Sequence, residues 1–316
     1  MKTGEFEMIS VAMTTYNGSK YLHEQIDSIL NQSEKDFELV ICDDCSSDDT
    51  LDILYNYAKN DSRVHVFENE KNLGYVKNFE KAITLCKGDY IALSDQDDIW
   101  LPEHLSVLFE NIKSGGYSLV GANALLVDSN NNDLGSKLIN NNTLPNDKSD
   151  FETMLLYRNV FQGSAILFDK AILDKALPFP ENMKYHDWWL ALVASENNGV
   201  NYVDVPILRY RQHGNNASGN HEKDSLKTKL TKFFASDLKE TGIRNIIILE
   251  KFINCSNKKE KVSEALDFAK YCEAQKMSAV RYFRKHNKEI YFGESSIKTF
   301  IRTNKMMLNV FLGKKR

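Results

Sequence analysis

The stretch Ile91-Ala92-Leu93-Ser94-Asp95-Gln96-Asp97-Asp98-Ile99-Trp100 runs from apolar residues into three carboxylates within four positions. Crowded carboxylates repel one another, so the arrangement is stable only where a cation, hydrogen-bond donors or open water faces them. A metal site, a helix start and a plain polar loop all meet that condition. Other groups able to do chemistry lie in Thr14-Thr15-Tyr16-Asn17-Gly18, in Asp43-Asp44-Cys45-Ser46-Ser47-Asp48-Asp49, in Asn72-Leu73-Gly74, and further on in His186-Asp187 and Arg211-Gln212-His213. Cys42 and Cys45 have the spacing of half a zinc site. No second pair of suitable spacing follows, so they read as one strand cysteine and one loop cysteine.

Each of the first polar segments follows a short apolar run and precedes residues at helical spacing. Met8–Met13 leads through Thr14–Gly18 to Tyr21, Leu22, Ile26, Ile29 and Leu30, and Phe37–Cys42 leads through the second acidic run to Leu51, Leu54, Tyr55 and Ala58. Ser46 or Ser47 is the expected N-cap of that second helix. A third strand, Val64–Phe67, precedes a helix through Val76, Phe79, Ile83 and Cys86, with Gly88 as its expected C′ residue. Tyr90–Leu93 then enters the acidic cluster. Strands alternating with amphipathic helices predict an α/β fold with a parallel, doubly wound sheet, and ligands in such sheets bind beyond the carboxyl ends of the strands. Those four loops should therefore meet on one rim. After Pro102 the pattern gives a helix ending at Gly115-Gly116, a strand Leu119–Val127, a structureless loop over 129–148, a helix Phe151–Tyr157, a strand Ala165–Phe168, a helix holding His186–Trp189, and a strand Tyr202–Leu208. Trp188 and Trp189 read as core.

Composition is that of an ordinary globular chain of 316 residues, with five cysteines, an odd number that argues against a disulfide framework. No apolar run approaches the length of a membrane-spanning helix and the N-terminus lacks signal-peptide order, so the expected location is cytoplasmic. The charge is unevenly distributed. Residues 1–220 carry 18 Lys+Arg against 33 Asp+Glu, whereas residues 221–316 carry 22 against 11. We expect two regions, a domain over 1–220 and a basic helical region over 221–316.

The segments VAMTTYNG, FELVICDDCSSDDT, NLGYVKNFEKAI, LSDQDDIWLP, YHDWW and YRQHGNN, in that order, resemble the inverting family-2 glycosyltransferases of GT-A fold, especially their bacterial rhamnosyltransferase-like branch. The resemblance covers residues 7–217. It implies that the Thr14, Tyr16 and Asn17 loop cradles the base of a nucleotide sugar and that Asp44 accepts the base's ring N–H, which suits uracil or thymine because a carboxylate only accepts. Asn72 and Gly74 then form the next loop, with Lys77 as a phosphate donor where many relatives carry Arg. Asp97 is the implied direct ligand of Mg²⁺ or Mn²⁺, with Asp95 toward the ribose and the metal, Asp98 orienting the loop, and His213, helped by Arg211, completing the metal or diphosphate contacts. Gln162 and Gly163 match the loop beside the donor sugar. Asp187 matches the catalytic base, which takes the proton of the acceptor hydroxyl on the face opposite the leaving diphosphate.

The implied reaction moves a hexose or deoxyhexose, rhamnose favoured, from a UDP- or dTDP-sugar to a surface polysaccharide or a lipid-linked glycan. A nucleotidyltransferase and a silent nucleotide-sugar-binding module are the alternative readings. At the C-terminus Phe300, Ile301, Met307, Leu308, Phe311 and Leu312 share one helical stripe flanked by Lys298, Arg302, Lys305, Lys314, Lys315 and Arg316. Such a helix suits an anionic membrane surface, and docking on the catalytic domain or on a second copy of the chain is the competing use. Nucleic acid is not an expected partner, because no reader motif accompanies the charge.

Overall fold

Strands β1 (Ile9–Thr15) and β2 (Phe37–Asp43) are buried at every position, which requires cover on both faces of the sheet and explains why they read as continuous rather than alternating apolar runs. The computed structural model describes residues 7–139, 144–145, 147–213, 238–290, 302–303 and 306–307. Helix α1 (Ser19–Leu30) buries Leu22, Ile26 and Ile29, one stripe at helical spacing, in the same core as Val11 and Met13 of β1. Helix α2 (Thr50–Asn60), strand β3 (Val64–Glu68), helix α3 (Tyr75–Leu85) and strand β4 (Tyr90–Ser94) continue the alternation.

After a short strand β5 (Ile99–Trp100) come helix α4 (His104–Gly115), strand β6 (Leu119–Val127), strand β7 (Asp133–Lys137), helix α5 (Lys148–Leu155), strand β8 (Ile166–Asp169), helix α6 (Leu173–Ala176), helix α7 (His186–Ser195) and strand β9 (Val200–Arg211). The nine strands form one sheet in the order β3-β2-β1-β4-β8-β6-β9-β5, with β7 added on β6. The first four are mutually parallel, β8 runs antiparallel to both β4 and β6, and β6 and β9 are parallel. Thr15 pairs with Asp43, Met13 with Ser94 and Asp43 with Glu68, so β1 to β4 end at one level and their loops open on one rim.

Four local expectations are corrected. Helix α2 is entered through Asp49, and Asp48 takes the Thr50 amide, because Ser46 instead turns back to Asp43 with its amide (2.8 Å) and hydroxyl (2.6 Å). Helix α3 ends at Cys86, and Gly88 packs where a Cβ would meet the backbone of Met8 and Ser10, so close approach rather than a helix stop requires the glycine. The segment after β6 holds the hairpin strand β7. Strand β9 continues to Arg211, which sets that arginine in the sheet. By contrast Gly116 ends α4 in the left-handed conformation (φ 63°), as its position suggested.

The described chain separates into two compact units, one of residues 1–138, 161–179 and 185–216, the other of residues 139–160, 180–184 and 217–316. The second contains α5 with α8 (Leu238–Cys255), α9 (Lys259–Glu273) and α10 (Met277–Ile290). Its core includes Phe252, Val262, Leu266, Ala269, Val280 and Phe283. The Tyr157 and Tyr282 hydroxyls meet at 2.8 Å inside it. Phe300, Ile301, Leu308, Phe311, Leu312 and most of the flanking cations of the C-terminal stripe lie outside the described residues.

Candidate active site

The rim is built from the loops after β1, β2, β3 and β4, tied to one another by their own side chains. Thr15 donates its hydroxyl to Asp43 at 2.7 Å. Asn17, at φ 48°, receives the Ser47 amide on its side-chain oxygen at 2.8 Å, and its own amide donates to Ser46 Oγ at 2.9 Å. Thr14 is buried, whereas the Tyr16 ring is 52 % exposed, free to act as a platform. Asp44 is buried. Its Oδ1 accepts from Asn69 Nδ2 (2.7 Å) and the Leu73 amide (2.7 Å), and Oδ2 accepts from the Gly74 amide (2.9 Å). A carboxylate has about four acceptor sites, so this one both shapes the third loop and keeps a site on Oδ2. Asn72 closes the same loop by donating to the Asp44 carbonyl at 3.1 Å, and Gly74, at φ 78°, turns the chain into α3. The Lys77 ammonium pairs with Glu80 at 2.9 Å, so a phosphate would have to compete for it.

The acidic loop after β4 is organised by β9. Asp98 is fully buried and accepts from the Arg211 amide (3.0 Å) and the Ser164 hydroxyl (2.7 Å), which is how it orients the loop. The Arg211 guanidinium is buried too. Its Nε donates to the Asp97 carbonyl at 2.8 Å, Nη2 pairs with Glu24, and the group lies 4.5 Å from the Tyr21 ring. The His213 ring stacks on that of Tyr21, 5.2 Å between centroids, and its Nε2 lies 2.8 Å from Asp97 Oδ2.

Burial, then Asp97, then Asp187 push the Asp95 carboxyl up to about 7, and the Gln162 side chain alone acts the other way. Burial followed by repulsion from Asp97 and Asp95 raises Asp98 well above the usual carboxylate range. Asp187 stands in the first turn of α7 and Gln162 at the start of the Gly163–Ala165 turn, and both act on the Asp95 carboxyl. A Cβ on Gly163 would lie 3.4 Å from His186 Nε2 and 3.9 Å from the Asp187 Cβ, so that turn passes beside the start of α7. Trp188 and Trp189 are core, and Trp189 Nε1 donates to the Ala176 carbonyl at 2.9 Å.

Carboxylate oxygens and one imidazole nitrogen, gathered beside the raised Asp95 carboxyl, make a donor set that suits Mg²⁺ or Mn²⁺. Among the described residues no group of three or more His, Cys, Asp or Glu side chains is arranged to hold an ion alone. That fits ions of this type, which take one or two carboxylates and complete their shell with substrate phosphates and water. Sequence reading passed over the residues that hold the ligands in place. Gln96 lay inside the motif without a role, Tyr21 read as part of the apolar stripe of the first helix, and Glu24 was indistinguishable from an ordinary helix surface.

The profile of the family "Glycosyl transferase family 2" matches residues 10–175. An uncharacterized glycosyltransferase of Haemophilus influenzae is 26 % identical over 93 % of this chain and 97 % of its own length. The dTDP-rhamnosyl transferase RfbG of Shigella flexneri is 28 % identical over 77 % of this chain and 86 % of its own. Among solved structures, S. aureus TarS 1–349 in complex with UDP-GlcNAc superposes with a TM-score of 0.62 at 19 % identity, covering 90 % of this chain and 78 % of that one. The mannosyltransferase PcManGT of Pyrobaculum calidifontis, in complex with GDP-Man and Mn²⁺, gives 0.54 at 14 % identity, covering 97 % and 86 %. At these identities the two structures speak for the fold, which is that of the GT-A glycosyltransferases.

Proposed function

The chain belongs to glycosyl transferase family 2 and is a glycosyltransferase, and from that premise we propose that it carries out inverting, metal-dependent transfer of a hexose or deoxyhexose, rhamnose favoured, from a UDP- or dTDP-sugar to a polysaccharide or lipid-linked glycan. The observation that carries the reading is the rim itself, where Asp95 feels both Asp97 and Asp187. On this reading Asp97 and Asp95 serve the cation and Asp187 serves the proton, and the 2.8 Å contact of His213 Nε2 with Asp97 Oδ2 supports the cation end. RfbG, a dTDP-rhamnosyl transferase by name, supports the sugar preference.

Tyr16 offers its face to the base, and Asp44 offers the remaining acceptor on Oδ2 to a ring N–H. Asp97 would hold the divalent ion directly, with substrate phosphates and water completing its shell, while Asp95 would lie toward the ribose and the metal's water and His213 would complete the metal or diphosphate contacts. When bound, such an ion supplies positive charge to the departing diphosphate as a Lewis acid. Asp187 takes the proton of the acceptor hydroxyl as its oxygen forms the new bond at the sugar carbon. The bond from that carbon to the diphosphate oxygen breaks, and the nucleoside diphosphate leaves with the electron pair. Gln162 holds Asp95 in place, and the Gly163 turn leaves the sugar room beside Asp187.

Melting the chain with UDP-, dTDP- and GDP-sugars, each with and without Mn²⁺, tests the reading, because a ligand at a hundred times its Kd stabilises the folded state by about 2.7 kcal/mol. A UDP- or dTDP-sugar with Mn²⁺ should raise the midpoint, and chelation should reverse the rise. In Asp187→Asn the rise should persist while turnover falls about 10²- to 10⁴-fold. A chain that no nucleotide sugar stabilises, or an Asp187→Asn variant that turns over normally, overturns the assignment.

A further inference from the structure

The Tyr16 loop is bound on one side to the loop after β2, through Asn17, Gly18 and Ser19. On its other side a single residue of the acidic loop holds it. Gln96 Oε1 accepts the Tyr16 amide at 2.8 Å, and Gln96 Nε2 donates to the Tyr16 carbonyl at 3.1 Å. The two bonds fix the orientation of the side-chain amide, since only its oxygen can accept and only its nitrogen can donate. They also occupy both polar groups of the Tyr16 backbone, which leaves the ring as the part of Tyr16 that faces outward. Gly18 completes the fit. A Cβ there would overlap the Gln96 amide, so glycine at 18 and glutamine at 96 form one interlocked pair. Gln96 sits between Asp95 and Asp97 in sequence, and its side chain reaches the loop that carries the aromatic platform.

We propose that Gln96 is a positioning residue that clasps the Tyr16 backbone and so fixes the distance between the aromatic platform for the base and the carboxylate loop for the diphosphate. The inference rests on the nucleotide-sugar reading above. Its consequence is that the chain recognises a base and a diphosphate joined at their natural spacing. Loosening the clasp therefore weakens binding of the joined ligand and spares the diphosphate end alone.

The test measures two dissociation constants by calorimetry, one for UDP or dTDP with Mn²⁺ and one for Mn²⁺ with inorganic pyrophosphate, in wild type, Gln96→Ala, Gly18→Ala and the double variant. Gly18 has φ −103°, so alanine fits the backbone there and dislodges the clasp without altering Gln96. Loss of two neutral hydrogen bonds should weaken the nucleoside diphosphate about tenfold in either single variant. Pyrophosphate should bind within about twofold of wild type, and donor KM should rise with kcat little changed. The double variant should be no weaker than Gln96→Ala, because the space that the alanine needs has been vacated. Equal losses for both ligands, losses that multiply in the double variant, or wild-type binding by Gln96→Ala would overturn the clasp. A wild-type chain that binds neither nucleotide overturns the nucleotide-sugar reading itself, a result distinct from the other three.

Discussion

Individual side chains on the rim do two kinds of work, and sequence reveals one of them better. Residues proposed to meet a ligand announce themselves by type and order, as Tyr16, Asp44, Asp97, Asp187 and His213 do. Residues that hold those groups still are common types on common elements, so Glu24 beneath Arg211 and Gln96 beneath Tyr16 become legible only when distances are known. His104 is a third case. It reads as a polar residue at a helix start, yet it is fully buried and stacked on Trp100 at 3.7 Å, and its Nδ1 donates to the Ile207 carbonyl at 3.2 Å. Burial pushes its imidazole down to about 3, and burial likewise pushes His186 down to about 4. Below about pH 6.5 the unfolded chain takes up protons that these rings refuse, so their stabilising contribution is complete above that pH and fades as acid approaches the folded values. Asp95 and Asp98 act in the opposite sense, because carboxyls raised in the folded state favour folding at low pH. Comparison with a variant separates the two. His104→Gln should melt lower than wild type at pH 7.5, and the gap should narrow by pH 5 as wild type loses the histidine contribution. A gap of constant width would show that His104 titrates normally.

Among the elements, the alternating strands and helices of the first part were readable because each apolar run had one length, one period and one polar terminus. What escaped was pairing over long sequence distance. Strand β8 enters antiparallel between β4 and β6, and the strip after β6 folds back as β7. Neither leaves a mark on local periodicity, because direction in a sheet is set by partners far along the chain. The C-terminal helices show a similar limit in Gly242. In an isolated helix glycine is less favourable than alanine by roughly 1 kcal/mol. Gly242 is retained in α8 because a Cβ there would collide with the backbone of Ala269 and Glu273 in α9, atoms that cannot rotate away. Gly242→Ala should therefore destabilise the helical unit by about 1–3 kcal/mol despite the gain in propensity, seen as a lower urea midpoint in far-ultraviolet circular dichroism. A midpoint at or above that of wild type would mean that the two helices have room to part.

At the scale of the whole molecule, charge is the property that separates the chain's two parts most clearly. The rim with its carboxylates belongs to residues that carry a large negative excess, and residues 221–316 hold 22 Lys+Arg against 11 Asp+Glu. Among the described residues no helix is long and apolar enough to cross a membrane, so retention at a bilayer would depend on surface contacts. Lysines and arginines near an anionic leaflet contribute about 1 kcal/mol each, within a Debye length of about 8 Å at physiological salt. A handful of them beside an apolar stripe is enough to hold a protein where a lipid-linked acceptor resides. We therefore expect the full chain to float with liposomes that contain phosphatidylserine and to remain in solution with purely zwitterionic ones. Recovery should fall steeply as salt rises, because the contribution is electrostatic, and should drop when residues 297–316 are removed, because the sequence there sets apolar residues at helical spacing beside the cations. Removal that leaves recovery unchanged would move the attachment to the described helices. Recovery on neither lipid composition would make the positive charge a solvating face with no membrane role.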